Sequence, residues 1–211
     1  MSGDESSRDF HATRRKLFIN LIKKRVKPGT GSSLEFLDRR TWTYPVANIQ
    51  SIIQKTPFVV VGGIATRLYM PERMTLDLDI LVKAEDKFKV YRELDLAGSQ
   101  RIGELSISGS QWNLPDGTLL DVLEFSEKWV SDAVSSPNYN PNGLPIIALP
   151  YLVLMKLQAS RSQDLADVSR MLGGTQESDL QEVRKVVRVY LPDAAEDLES
   201  LIALGKLERG E

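Results

Sequence analysis

Two aspartates stand one residue apart in the run Thr75-Leu-Asp77-Leu-Asp79-Ile-Leu-Val, and a third, Asp121, lies in the middle of another apolar run, Thr118 to Phe125 (TLLDVLEF). Side chains alternate across a β-strand, so Asp77 and Asp79 are expected on one face with Cα atoms about 6.5 Å apart. Like charges that close raise one another's pKa, and the usual relief is a bound cation. A carboxylate within a buried strand likewise needs a cation or several donors. Three acids converging from two neighbouring strands form an oxygen-only set suited to one or two Mg²⁺, with room left for phosphate. Upstream, the β-branched run Phe58 to Val61 ends in Gly62-Gly63 ahead of a short helical segment. Glycines at a helix start let backbone amides approach an anion without a side chain in the way. The chemistry these parts suit is phosphoryl or nucleotidyl transfer, which needs charge neutralised on a triphosphate, a polarised attacking hydroxyl and a held phosphate tail.

Composition removes the competing chemistries. The 211 residues contain no cysteine, which excludes disulfides, thiolate zinc sites and cysteine nucleophiles. The one histidine, His11, sits in a polar N-terminal segment remote in sequence from the acids, so a Ser-His-Asp triad or a multi-histidine metal site is untenable. A metal here must be held by oxygen. Hydrophobic and charged fractions of 42% and 27% are those of a globular protein, and no apolar run reaches the length of a membrane span. The polar start, MSGDESSRDF, does not read as a signal peptide, which makes the cytoplasm the expected address. The formal charge of -2 is unevenly spread: Arg8 to Pro28 holds eight Lys/Arg against one acid, so a polyanion suits this segment and is repelled by the rest.

The elements that must position the acids follow from periodicity and punctuation. After a disordered first dozen residues, a helix is expected from about Thr13, packing by the stripe Leu17, Phe18, Leu21 and Ile22, with Arg14, Arg15, Lys16, Lys23, Lys24, Arg25 and Lys27 around it. The stretch KPGTGSS is a linker, since no Gly-Lys-Ser/Thr follows its glycines. A helix over about Pro45 to Gln54 leads to the first strand. The strand bearing Asp77 and Asp79 is followed by a helix, Ala84 to Leu96, and a strand, Arg101 to Leu114. Pro115-Asp116-Gly117 then turns the chain back antiparallel into the Asp121 strand. Further on are expected a helix over Ser126 to Ser135, a short strand over Leu144 to Leu149, and a helix that Pro150 can open. A helix over Asp164 to Leu172, stopped by Gly173-Gly174, and two more over Ser178 to Leu191 and Asp193 to Leu207 complete the chain.

Gly62, Gly63, Thr75, Asp77 and Asp79 together make a Gly-Gly, spacer, Thr-x-Asp-x-Asp pattern that resembles the DNA polymerase β-type nucleotidyltransferase superfamily. In that superfamily the two acids of the motif and a third on a later strand bind the catalytic metals, and Asp121 fits the third position. Within it, the chain is most similar to the minimal, abortive-infection and toxin–antitoxin members. Arg73 and Thr75 just before the acids are similar to their Arg-x-Thr/Ser-x-Asp-x-Asp run. Lys156, Ala159, Arg161, Asp164 and Asp167 resemble their Lys-x-x-Ala helix and following Arg-x-x-Asp-x-x-Asp. The resemblance covers about Phe58 to Leu172. It implies nucleotide binding by Gly62, Gly63, Arg73, Thr75, Lys156 and Asp164, with Lys156 on phosphate, and metal binding and catalysis by Asp77, Asp79 and Asp121. Many relatives have Gly-Ser where this chain has Gly62-Gly63, and many are longer at the C-terminus.

The expected fold is α/β, a small mixed β-sheet flanked by helices, with a basic helix and linker over 1–44, a nucleotidyltransferase core over 45–149 and a helical part over 150–211. The expected function is Mg²⁺-dependent transfer of a nucleoside monophosphate from a nucleoside triphosphate to an acceptor hydroxyl on RNA, such as a tRNA 3′ end, with a cognate antitoxin protein as a further partner and no membrane. The alternatives are a non-catalytic nucleotide- or partner-binding member of a toxin–antitoxin pair, and a nucleotidyltransferase acting on a small molecule such as an antibiotic. Plainer readings stand beside these roles. Lys156 extends its ammonium from an apolar helix to water, Asp164 caps a helix, Asp167 joins an exposed ion pair, Arg67 is a solvated helix charge, and Trp112 and Trp129 serve packing.

Overall fold

The computed structural model describes residues 2–29, 48–70 and 77–210, with side chains from Ser7 onward. Among these residues the chain is a mixed α/β protein with a seven-stranded sheet. In order come α1 (Ser2–Lys23), α2 (Ile49–Ile52), β1 (Val59–Val60), α3 (Gly62–Thr66), β2 (Leu78–Lys83), a 3₁₀ turn (Ala84–Asp86) and α4 (Lys87–Leu96). There follow β3 (Gln100–Glu104), β4 (Gly109–Asn113), β5 (Leu119–Phe125), α5 (Lys128–Ser135), β6 (Asn138–Tyr139) and β7 (Pro145–Ile146). The last elements are α6 (Leu149–Ala159), α7 (Ser162–Gly173), α8 (Glu177–Tyr190), a 3₁₀ turn (Pro192–Ala194) and α9 (Ala195–Arg209). No described helix is long and apolar enough to cross a membrane. The chain separates into two compact units, one holding the sheet with α2–α5 and the other holding α1 with α6–α9.

The sheet runs β3-β4-β5-β2-β1-β7-β6. β2 pairs parallel with β5 and antiparallel with β1, while β3, β4 and β5 form an antiparallel meander. Central strands covered on both faces read as near-continuous apolar runs, and Val59, Val60, Ile80, Leu81, Val82, Leu120 and Val122 are fully buried. The turn at Pro115-Asp116-Gly117 forms as its residues dictate: Gly117 takes a φ of +85° and Asp116 Oδ1 accepts the Thr118 amide at 2.9 Å. The strand expected over Arg101 to Leu114 is two strands instead. Gly109, at φ +151°, fits where any Cβ would lie 2.2 Å from the Val122 carbonyl oxygen, and the chain reverses ahead of it.

On one face of this sheet, α4 covers an acid that the sequence left unremarked. Glu124 is 5% exposed and accepts hydrogen bonds from Tyr91 Oη and, at 3.3 Å, from Ser110 Oγ. Burial and the bond to Glu124 both push the Tyr91 phenol above its ordinary value. Trp112, buried beside Tyr91 with ring centroids 5.3 Å apart, donates its Nε1–H to Ser110 Oγ at 3.0 Å. From the outer side of α4, Glu93 receives the amides of Gln54, Lys55 and Thr56 and the Thr56 hydroxyl, pinning the approach to β1. Partial burial works to raise the Glu93 carboxyl, but the Thr56 hydroxyl and the three amides outweigh it and hold it below its ordinary value.

In the other unit, the N-terminal segment expected to be disordered is helical from Ser2. The packing side of α1 also differs from the expected stripe: Leu17 and Leu21 are 65% and 49% exposed, whereas Ile19 is buried and Arg15 is 1% exposed. Arg15 donates to Asp197 Oδ2 at 2.8 Å, Asp193 Oδ2 at 2.7 Å and Ser160 Oγ at 3.3 Å, tying α1 to the start of α9 and the end of α6. Arg15, not the apolar stripe, sets the packing side, because the buried Asp197 and the partly exposed Asp193 both hold its guanidinium. α7 and α9 cross on glycine, since a Cβ on Gly205 would meet the Ser169 carbonyl oxygen at 2.0 Å and a Cβ on Gly173 would meet the Gly205 backbone at 2.4 Å. Ser169 Oγ donates to the Leu201 carbonyl at 3.2 Å across the same crossing.

Candidate active site

β1 delivers the chain to Gly62, where the backbone turns sharply. Gly62 has a φ of +61°, a left-handed conformation that costs an L-residue about 1–2 kcal/mol. The Val61 amide donates to the Asp79 carbonyl at 2.9 Å, which holds the start of α3 against β2. A Cβ on Gly62 would lie 1.9 Å from Asp79 Oδ2 and 2.7 Å from its Cγ. The Asp79 carboxylate therefore rests on the bare α-carbon of Gly62, and glycine is required there by contact as well as by φ.

Across the parallel pair β2–β5, Asp79 and Asp121 are register partners. Partners in adjacent strands share a face and lie about 4.8 Å apart, so the two half-buried carboxylates stand side by side. One strand further, Gln111 is the register partner of Asp121 in the antiparallel pair β4–β5, and its Nε2 donates to Asp121 Oδ1 at 2.9 Å. A row of Gln111, Asp121 and Asp79 thus crosses three strands and ends on Gly62. The apolar residues between them point to the other face: Leu78, Ile80, Leu120 and Val122 are at most 1% exposed. That buried side fixes the register, because a one-residue slip would turn the acids inward.

The other sequence-predicted residues fall in three groups. Asp77 immediately precedes β2 and is exposed. Gly63 is half-buried in the first turn of α3. Arg73 and Thr75 lie outside the described residues. Lys156 and Asp164 belong to the other unit and meet each other there: Lys156 Nζ, on α6, donates to Asp164 Oδ1 at 3.2 Å and to Asp167 Oδ2 at 2.8 Å, both on α7. All three are buried, at 5%, 4% and 0% exposure. The plainer readings of these residues do not hold. Lys156 is buried, Asp164 lies within the first turn of α7 and not at its N-cap, which is Arg161, and Asp167 is no exposed partner. Arg161 Nε and Gln163 Nε2 supply further donors to the two acids, so the cluster is closely balanced in charge. Arg67, read from the sequence as a solvated charge, is 4% exposed, while Trp112 and Trp129 are core residues as expected.

Among the described residues no cluster of three or more His, Cys, Asp or Glu side chains is assembled for a metal. What the sheet assembles is a pair, Asp79 and Asp121, with Asp77 next to it in sequence. Mg²⁺ is commonly held by one or two carboxylates, its remaining positions filled by water and substrate phosphate. Two hard oxygen donors from adjacent strands, set beside a glycine that leaves room for nothing larger, fit that cation.

The sequence pointed to Asp79, Asp121 and Gly62 but not to Gln111. The signal was present: folding the two strands about Pro115-Asp116-Gly117 places Gln111 opposite Asp121.

No protein-family model matches this chain, and no curated protein matches it. Solved structures do. The crystal structure of ANT(2″)-Ia in complex with adenylyl-2″-tobramycin is 16% identical, with 72% of this chain and 88% of that chain covered and a TM-score of 0.39. The solution structure of the antibiotic-resistance factor ANT(2″)-Ia is 17% identical, with 72% and 83% covered and a TM-score of 0.40.

Proposed function

We propose that this chain is a Mg²⁺-dependent nucleotidyltransferase, moving a nucleoside monophosphate from a nucleoside triphosphate to an acceptor hydroxyl. The observation that carries the reading is the in-register placement of Asp79 and Asp121 on adjacent parallel strands, with the Asp79 carboxylate seated on Gly62. Two anions side by side are costly unless a cation joins them.

Asp79 and Asp121 would hold the divalent cation, with Asp77 ahead of β2 as a further ligand. When bound, the cation supplies neutralisation of the triphosphate and polarisation of the acceptor hydroxyl. The chain's own residues do the rest. The first-turn amides at Gly62 and Gly63, outside the helix's own ladder, face the phosphate tail. Asp121 accepts the proton of the acceptor hydroxyl as its oxygen attacks the α-phosphorus. The bond from that phosphorus to the bridging oxygen breaks, and pyrophosphate leaves. Arg73 and Thr75 are proposed as nucleotide contacts on the motif resemblance.

The acceptor is proposed to be an RNA hydroxyl. The exposed Lys16, Lys23, Lys24, Arg25 and Lys27 of the N-terminal segment favour a polyanion.

The test is incubation with each labelled nucleoside triphosphate, with and without Mg²⁺, in the presence of total RNA or of an aminoglycoside. Label is expected in RNA, only with Mg²⁺. Asp79→Ala and Asp121→Ala should each lose transfer by at least about 100-fold while circular dichroism is unchanged. Wild-type transfer by either variant refutes the proposal, and label in the aminoglycoside alone moves the acceptor to a small molecule.

A further inference from the structure

Gln111 stands on β4, the strand beyond Asp121, and nothing in the Gly-Gly or Asp-x-Asp pattern draws attention to it. Its strand neighbours lock its position. Ser110 and Trp112 are buried on the opposite face at 0% and 1% exposure, so Gln111 is left on the face of the acids. Its amide nitrogen lies 2.9 Å from Asp121 Oδ1. A carboxylate has no proton to give, so the nitrogen side of the amide must face it. Among the described residues this is the one hydrogen bond that Asp121 receives.

We propose that Gln111 is a positioning residue for the metal, orienting the Asp121 carboxylate so that its remaining lone pairs face the cation held with Asp79. The inference rests on the nucleotidyl-transfer reading and adds a residue to it. A neutral donor suits this task better than a charged one. Lysine or arginine at position 111 would fix the carboxylate equally well but would cancel the negative charge that attracts the cation, whereas an amide orients it and leaves the charge in place. Partners behind a ligand typically contribute 10–100-fold in metal affinity.

The experiment uses the whole chain and Mn²⁺ as the probe. Mn²⁺ binding is followed by water-proton relaxation for wild type, Asp121→Asn, Gln111→Met and Gln111→Asn. Methionine keeps the length and volume of the side chain without its amide, and asparagine keeps the amide but cannot reach. Wild type should bind Mn²⁺ and Asp121→Asn should not. Both Gln111 variants should bind about tenfold more weakly, with melting temperatures near that of wild type. In the transfer assay the Mg²⁺ concentration for half-maximal rate should rise by a similar factor, and saturating Mg²⁺ should restore the rate, a rescue that a merely structural defect would not show. If the Gln111 variants bind Mn²⁺ as tightly as wild type while Asp121→Asn does not bind, the inference is overturned and the reading of the site survives. If wild type and Asp121→Asn behave alike toward Mn²⁺, the metal site itself is wrong and the inference falls with it.

Discussion

Replacing Gly62 with alanine strikes the contact on which the site depends. An ideal Cβ there falls 1.9 Å from Asp79 Oδ2, and ordinary contact begins near 3.4 Å, so the carboxylate must retreat by about 1.5 Å. A displacement on the order of 1 Å at a reacting centre costs about 100-fold in rate. The left-handed φ of +61° adds about 1–2 kcal/mol of strain, or roughly 2–8 °C in melting temperature for a chain of this size. Gly117 separates the two effects, because its φ is +85° but nothing lies within 4 Å of a Cβ placed on it. Gly117→Ala should therefore lose similar stability and keep its activity. The assays are pyrophosphate release at saturating nucleotide and thermal melting of both variants. A Gly62→Ala protein that transfers at the wild-type rate would show that Asp79 is not seated as described. Equal activity losses in the two variants would show that strain, and not the retreat of Asp79, is responsible.

Other perturbations have equally definite outcomes. Lys156→Met leaves Asp164 and Asp167 buried with their shared cation gone, and should destabilise the protein by about 3–5 kcal/mol, read in urea unfolding. Glu93→Gln removes a carboxylate whose pKa is held below its ordinary value of 4.5. Because that pKa is depressed, the stabilisation is full above the ordinary value and is lost as pH falls through the folded value. The melting-temperature gap between wild type and variant should thus be present at neutral pH and close in acid; a gap that widens in acid would overturn the account. Gly205→Val drives a branched side chain into the Ser169 carbonyl across the α7–α9 crossing and should cost at least about 1–3 kcal/mol.

Much of the site was legible because strand alternation is a strong local signal. Asp79 and Asp121 each sit within apolar residues that had to turn inward, and Pro115-Asp116-Gly117 announced the reversal between β4 and β5. What stayed hidden depended on partners distant in sequence. Gly62 reads as a flexible turn residue until Asp79 is found resting on it. Arg15 looks like one more solvated charge until Asp193 and Asp197 arrive from the far end of the chain. Glu124 sits three residues beyond Asp121 in an apparently ordinary strand end, and only α4 shows that it is buried. The β3–β4 reversal was missed because the residues from Arg101 to Leu114 alternate well enough to mimic one long strand.

The pairing of β2 with β5 also sets when the two carboxylates come together. These strands are parallel, so no hairpin can join them, and the chain between them, which carries α4, β3 and β4, must cross back before Asp121 can lie beside Asp79. Such non-local pairings form late, because chain entropy is lost before any contact compensates for it. A growing chain that has not yet emitted Asp121 carries Gly62 and Asp79 but lacks the second carboxylate. On the proposed reading, Mn²⁺ binding during refolding is expected to appear only once β5 has docked beside β2.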